Sequence, residues 1–371
     1  MCILLKNILP FDLFKRMLDE GFIRAQVHPK YPELMIFNYT EAAQFDRVWN
    51  EATNICRGLI VKLANGVLDE NAEVVARPFN KFHNLNTTYV PETMEENLLN
   101  EAPLVTTKLD GSMGIVYIYD TQYWVATRGS FDSDQARWAT AWYREHEKMF
   151  RQGFPADVTP VCEIIYPENR IVVDYDYAGL VLLSLIDNET GRELARDDAE
   201  MWAKVNTLQI VDKFNKSLAE CAAEDTSNEE GYVLSYSNGV KVKVKFAEYV
   251  RLHRILTGLN PKTVWEMLAA GQNEAIAKLL ADPKMPEGFR NWLHEVAVDL
   301  NAKFATIELE VQAIFAARPA TSVRKDQALY FKQTPRFSGV LFQMLDGKSY
   351  AGTIWDMVKP KIIKTFKKDG E

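Results

Sequence analysis

Short runs of β-branched and aromatic residues recur along the chain as far as about Val250: Leu34–Tyr39, Gly58–Leu63, Gly114–Tyr119, Trp124–Thr127, Ile171–Tyr175, Leu180–Ile186, Tyr232–Tyr236 and Val240–Phe246. Bounded by Asn, Asp and Gly, they predict strands of largely antiparallel sheets. Ser237-Asn238-Gly239 predicts the clearest hairpin, because Asn-Gly tolerates the positive φ angles of a tight turn. Between the strands, Asp134–Met149 and Asp197–Ala223 carry apolar residues at helical spacing. After Thr257-Gly258-Leu259-Asn260-Pro261 the pattern changes, and nearly everything to Glu371 has helical periodicity. Pro261 suits a helix start with Asn260 as its cap, while Pro283, Pro286, Pro319 and Pro335 punctuate the helical stretch beyond it. The pattern predicts an α+β chain of two domains, residues 1–256 built on sheets and residues 257–371 all-helical.

Composition removes several classes. With 47% hydrophobic residues among 371, the chain is not predominantly disordered. A balance of 43 Lys+Arg against 51 Asp+Glu, formally −8, argues against binding nucleic acid by bulk charge, although a local basic channel is invisible in that sum. The basic end, Lys359-Pro360-Lys361 through Lys364, Lys367 and Lys368, predicts a solvated helix or tail. No stretch approaches the roughly 20 apolar residues of a membrane span, and Met1–Pro10 lacks signal-peptide features, so a cytoplasmic location is expected. Cys2, Cys56, Cys162 and Cys221 lie far apart and are expected to be reduced thiols.

Familiar catalytic signatures are missing. The histidines form no HExxH pair and flank no GxSxG elbow, and there is neither a GxxxxGK[ST] phosphate loop nor a GxGxxG. Asp174-Tyr175-Asp176-Tyr177-Ala178-Gly179 begins like a calcium loop, but Ala178 replaces the third ligand and Leu185 stands where the bidentate Glu belongs. What remains is Thr107-Lys108-Leu109-Asp110-Gly111-Ser112, between an apolar run and the strand Gly114–Tyr119. Alone, a KxDG tetrapeptide arises by chance in on the order of one chain in twenty of this length. Here it has company. Cys56-Arg57-Gly58-Leu59 and Arg77-Pro78-Phe79-Asn80-Lys81-Phe82-His83-Asn84-Leu85 precede it. Thr127-Arg128-Gly129-Ser130, the run from Cys162-Glu163 to Val172, Glu230-Gly231-Tyr232-Val233 and Lys243-Val244-Lys245 come after it.

This ordered set resembles the ATP-dependent RNA ligases within the covalent nucleotidyltransferases, most closely the phage RNA ligase 1 family, as far as about Val250. The resemblance implies an antiparallel-sheet adenylation domain around an ATP pocket, with Lys108 as the nucleophile that forms lysyl-AMP. Lys243 and Lys245 would contact the α-phosphate and the departing pyrophosphate, and Arg57 and Lys81 the β- and γ-phosphates. Glu163 would read the ribose hydroxyls and Glu230 would hold a catalytic magnesium or manganese. Gly111 belongs to the nucleotide-binding set, Arg128 stands where the family has Lys, and Phe37 falls where it has an aromatic residue near the nucleotide.

Elementary chemistry fits these roles. A lysine attacks phosphorus only as the free amine, and deprotonating an unperturbed one at pH 7 costs roughly 4–5 kcal/mol. Nearby cations oppose the ammonium form, and alternation along Val242-Lys243-Val244-Lys245-Phe246 puts both lysines on one strand face. By resemblance, the partners are ATP and RNA with 5′-phosphate and 3′-hydroxyl ends, supplied by an end-healing kinase-phosphatase as in phage tRNA repair. A monomer is expected, in host cytoplasm if phage-encoded. The helical region would influence RNA choice. A DNA ligase, a capping enzyme or a non-catalytic RNA-binding relative shares part of the pattern, but the first two carry an oligonucleotide-binding barrel not evident after Lys245.

Overall fold

The computed structural model describes residues 2–147, 153, 157–321, 323–361 and 366. Lys148 and Met149, at the end of an expected helix, and Lys364, Lys367 and Lys368 of the basic end lie outside them. Two compact units divide at Arg251/Leu252, inside the helix Ala247–Gly258.

The first unit holds three sheets. One contains β1 (Ile23–Val27), β2 (Leu34–Tyr39), β3 (Arg57–Lys62) and β4 (Glu73–Ala76) in that order, all antiparallel. Strands β5 (His83–Asn84), β6 (Leu104–Thr107), β7 (Ser112–Tyr119), β8 (Gln122–Ala126), β9 (Val158–Ile165), β10 (Gly179–Asp187), β11 (Gln209–Ile210), β12 (Lys213–Phe214), β13 (Gly231–Ser235) and β14 (Lys241–Lys245) complete the set. They form a second sheet ordered β11-β10-β9-β7-β8 and a third ordered β12-β6-β13-β14-β5. Only the short pairings β10 with β11 and β14 with β5 are parallel among the described ladders.

Alternation decides what each face of the first sheet meets. Phe37, Leu59 and Val61 point at the N-terminal helices and pack with Leu5, Phe14 and Met17. Leu34, Ile36, Ile60 and Ala76 point the other way, onto Ile115, Tyr117, Ala126 and Val161 of the second sheet. That sheet's far face is covered by the helices Asp134–Glu145 and Arg196–Val205 through Tyr143, Trp202 and Leu182.

Three local expectations need correction. Ile171–Tyr175 is not a strand, because the amides of Val172 and Val173 donate to the Asp110 carboxylate rather than to a ladder. Asp197–Ala223 is not one helix but two, Arg196–Val205 and Leu218–Ala223, with β11 and β12 between them. At the β13–β14 turn only Gly239 takes a positive φ, +89°, and the Asn238 side chain accepts from the Val240 amide instead.

The second unit is helical: Pro261–Ala269, Asn273–Ala281, Glu287–Ala316, Arg324–Phe331, Ser338–Leu345 and Ala351–Met357. Asn260 caps the first helix by accepting from the amides of Lys262 and Thr263. Ile307, Val311, Phe331, Leu341 and Ile354 make its core. No helix among the described residues is long and apolar enough to cross a membrane.

Candidate active site

A cavity of about 960 Å³ opens inside the first unit, bordered by β6, β9, β14 and the segment 79–83. Arg57, Lys81, Lys108, Gly111, Arg128, Glu163 and Lys243 all line it. Lys108 sits just past the end of β6, where its amide donates to the Gly231 carbonyl at 2.8 Å. Its Nζ lies 2.6 Å from Oε2 of Glu230, whose Oε1 takes Nζ of Lys245 at 2.8 Å. One buried carboxylate therefore joins both lysines.

Backbone geometry holds the group in place. Gly231 has φ +139°, and a Cβ there would stand 2.0 Å from the Val244 carbonyl oxygen, so only glycine lets β13 run this close to β14. A Cβ on Gly111 would meet the Ile164 carbonyl oxygen at 2.6 Å and Glu163 Cγ at 3.0 Å, so this glycine brings the lysine loop against β9. Asp110 anchors the same loop. It accepts from the Val172 and Val173 amides at 2.8 and 2.9 Å and from the Tyr249 hydroxyl at 2.7 Å.

The charge state of Lys108 departs from expectation. Burial pushes its ammonium down, but Glu230, Glu163 and Asp110 outweigh that, and Lys108 ends above the ordinary lysine range. The neighbouring cations do not bring it below that range, because the carboxylates around it act more strongly. Lys243 behaves in the opposite way: burial, then Lys108, Arg57, Lys81 and Lys245, drive it well below the usual value. Burial, with Glu230 and Asp110 adding to it, lifts the Glu163 carboxyl to about 8 against the opposing pull of Lys108 and Arg57.

Deeper in, the cations rest on rings instead of carboxylates. The Tyr39 hydroxyl accepts from Arg128 at 3.1 Å and from Lys81 at 3.4 Å, and both cations lie over its ring. Lys81 also faces Trp49, while Arg57 and Lys243 flank Phe82 at 5.3 and 4.6 Å. Arg57, Lys81, Arg128 and Lys243 form no ion pair with a carboxylate among the described residues. Four such cations around one cavity make an anion site.

Arg57 reaches this cavity through a bulge. Phe37 pairs with Leu59 and Asn38 with Arg57, so Gly58 is an extra residue, at φ +104°. Without it Arg57 would share the face of Leu59, against the N-terminal helices. Phe37 itself is a correction. It is fully buried, edge-on to Phe14 at 5.0 Å, because it faces those helices. The aromatic of this strand that meets the cations is Tyr39, at its end. Sequence reasoning also missed Lys241, which shares the period-two parity of Lys243 and Lys245, and Asp110, whose role depends on a distant loop.

Oxygen donors for a divalent ion are few. No group of three His, Cys, Asp or Glu gathers among the described residues, and Asp110 is consumed by hydrogen bonds. Glu230, with Glu163 nearby, suits an ion held by one or two carboxylates and completed by substrate phosphates, as magnesium usually is.

A lysine tied to a buried carboxylate thus borders a cavity with four cations that lack a carboxylate partner among the described residues. The chain belongs to the T4-type RNA ligase family, whose model, described as RNA ligase, matches residues 55–249, just over half its length. It is similar to a Thermovibrio ammonificans protein carrying an RNA ligase name, 28% identical over 205 residues that cover 52% of each chain. It therefore spans about half of that relative's length. An RNA ligase of Rhodothermus phage RM378 is 23% identical over 302 residues, 63% of this chain and 67% of the phage protein. Among solved structures, an archaeal ATP-dependent RNA ligase superposes with a TM-score of 0.44 and 13% identity over 92% of this chain and all of that one. A Naegleria gruberi RNA ligase with pyrophosphate gives 0.36 and 19% over 46% and 57%.

Proposed function

We propose that this protein is an ATP-dependent RNA ligase that joins a 5′-phosphate to a 3′-hydroxyl through lysyl-AMP on Lys108 and an RNA-adenylate. The observation that carries the reading is the Lys108–Glu230–Lys245 group at the edge of a cavity where Arg57, Lys81, Arg128 and Lys243 have no carboxylate partner among the described residues. Family membership supports it.

In the first step Lys108 gives up its ammonium proton to solvent, its Nζ forms a bond to the α-phosphorus of ATP with loss of a second proton, and the bond to the β-phosphate oxygen breaks so that pyrophosphate leaves with the electron pair. Arg57, Lys81 and Arg128 bind the polyphosphate and orient it for departure, and Lys243 neutralises the negative charge that builds on the transferring group. In the second step a 5′-phosphate oxygen of RNA takes the adenylyl group from Lys108. In the third, a 3′-hydroxyl attacks the RNA phosphate, releasing AMP and its own proton. Lys245 and Lys243 flank all three displacements, and Glu163 faces the bound nucleoside. When bound at Glu230, a magnesium or manganese ion supplies positive charge to the phosphate oxygens and competes with the lysines for the carboxylate. Ends of this chemistry are made by a kinase-phosphatase, so repair of cleaved RNA, including tRNA, is the fitting setting. The run of helices after β14, with no strand among the described residues, speaks against a DNA ligase or capping enzyme with a barrel in that position.

Incubation with ATP labelled at the α-phosphate, with a divalent ion, should leave label on the protein, and Lys108→Ala should abolish it. A panel of 5′-phosphorylated RNA and DNA strands then tests joining. Unlabelled wild-type protein, or a labelled Lys108→Ala variant, would overturn the assignment.

A further inference from the structure

The pocket face of β14 carries a third lysine that the proposed reaction does not use. Lys241, Lys243 and Lys245 alternate with buried Val242 and Val244. Two of the three have a carboxylate. Lys245 bonds to Glu230 and Lys241 bonds to Glu193, while Lys243 between them has none among the described residues. Lys241 and Glu193 both line the same cavity as Lys243 and Arg57. Lys241 lies over Phe79 at 4.2 Å and within 5.9 Å of Phe82, the ring that Arg57 and Lys243 also face. Successive same-face positions on a strand are about 6.7 Å apart, so Lys241 stands one step beyond Lys243 along the cavity wall, near enough for the two long side chains to reach neighbouring phosphates.

Glu193 is presented by the turn that follows β10, where it bridges back to Ile186. The turn after β10 is clamped by Arg77, whose guanidinium donates to the carbonyls of Asn188 and Glu189. Gly191 in that turn has φ +70°, and a Cβ on it would stand 2.4 Å from the Arg77 guanidinium. Glu193 has a second donor, the Ser235 hydroxyl at 3.5 Å, which would remain if Lys241 turned to another anion.

We propose that Lys241 is the far end of the anion row and binds the terminal phosphate of a polyphosphate, with Glu193 as its counter-ion while the pocket is empty. This rests on the nucleotide reading of the cavity and adds to it: the row selects chain length, favouring three linked phosphates over a lone monophosphate. A phosphate arriving at Lys241 replaces the carboxylate, and Glu193 falls back on Ser235. The alternative is that the pair merely ties the hairpin to β14.

The two roles differ in sign. Binding of inorganic tripolyphosphate and of AMP to the ligand-free full chain is measured by calorimetry. Glu193→Gln should tighten tripolyphosphate several-fold by removing a competing anion, whereas Lys241→Met should weaken it about tenfold, the effect of losing one charge-assisted contact. Lys241→Met should also lose far more affinity for tripolyphosphate than for AMP, a comparison that stands even if Glu193→Gln does not fold. A fall in affinity for both variants, or equal losses for both ligands, shows a strut and overturns the proposal. Self-adenylylation of the wild type is scored separately. Its absence would count against the ligase reading while leaving the tripolyphosphate result intact.

Discussion

Burial works against the ammonium form of Lys108, and Glu230 does most to oppose it, being the nearest and strongest of the groups that raise it. Glu230→Gln should lower the pH at which Lys108 reacts with an acylating reagent by about one unit or more, the usual influence of an opposite charge at this range. Mass spectrometry of the Lys108 peptide across a pH series reads the shift; an unmoved profile would show that other groups set it. Glu163 makes a stability prediction. Its carboxyl is lifted to about 8 in the folded chain against an ordinary 4.5, chiefly by burial. Across that window the folded state keeps a proton that the unfolded state has lost, so this residue's contribution to stability declines as pH rises from about 4.5 to about 8. Chemical denaturation of ligand-free Glu163→Gln should show a smaller loss between pH 5 and pH 8.5 than the wild type. Equal slopes would contradict the burial argument. At this scale the sequence was legible wherever a side chain's place derives from parity, as for Lys243 and Lys245. It was opaque for Tyr39, whose place beside Lys81 and Arg128 is a matter of tertiary packing.

Among the elements, β13 and β14 do most to align the lysines, and their spacing depends on Gly231. Gly231→Ala would press a methyl into the Val244 carbonyl and strain a φ of +139°. The expected destabilisation is roughly 2 kcal/mol or more, measured by urea denaturation, and it should bring a matching loss of self-adenylylation. Unchanged stability would mean that the strands can separate without cost. The same strands show why the antiparallel reading succeeded: Tyr232–Tyr236 and Val240–Phe246 differ from β13 and β14 by a residue at each end. Central strand β9 escaped notice because it is buried on both faces and shows no alternation. The Gly58 bulge was equally hidden, since a glycine beside Arg57 reads as an ordinary turn residue until its partner strand is known.

For the whole molecule, the expected boundary near Leu256 and the division at Arg251/Leu252 both fall within one helix. A chain ending at Leu256 keeps every lysine and carboxylate of the cavity, together with Tyr249 and its bond to Asp110. It should fold and retain self-adenylylation. Loss of the helical unit should weaken preference among RNA ends, and the full chain should lose RNA affinity more steeply with salt than the shortened one. Identical salt slopes and end preferences would remove the helical unit from substrate choice, and a folded but unlabelled fragment would assign it a part in the ATP site. Helical periodicity after Pro261 was plain because Asn260 and Pro261 mark the start of a helix by local chemistry alone.

The bond between Glu230 and Lys108 has a bearing on the protein's life between reactions. A neutral amine in an open cavity is prey to aldehydes, acyl phosphates and other stray electrophiles, and each such encounter would consume the lysine. Held toward the ammonium form by Glu230, Lys108 reacts with them more slowly than an ordinary lysine amine at neutral pH. On the proposed reading the carboxylate acts as a safety catch, lowering the share of free amine at Lys108 until an incoming ligand draws Glu230 away.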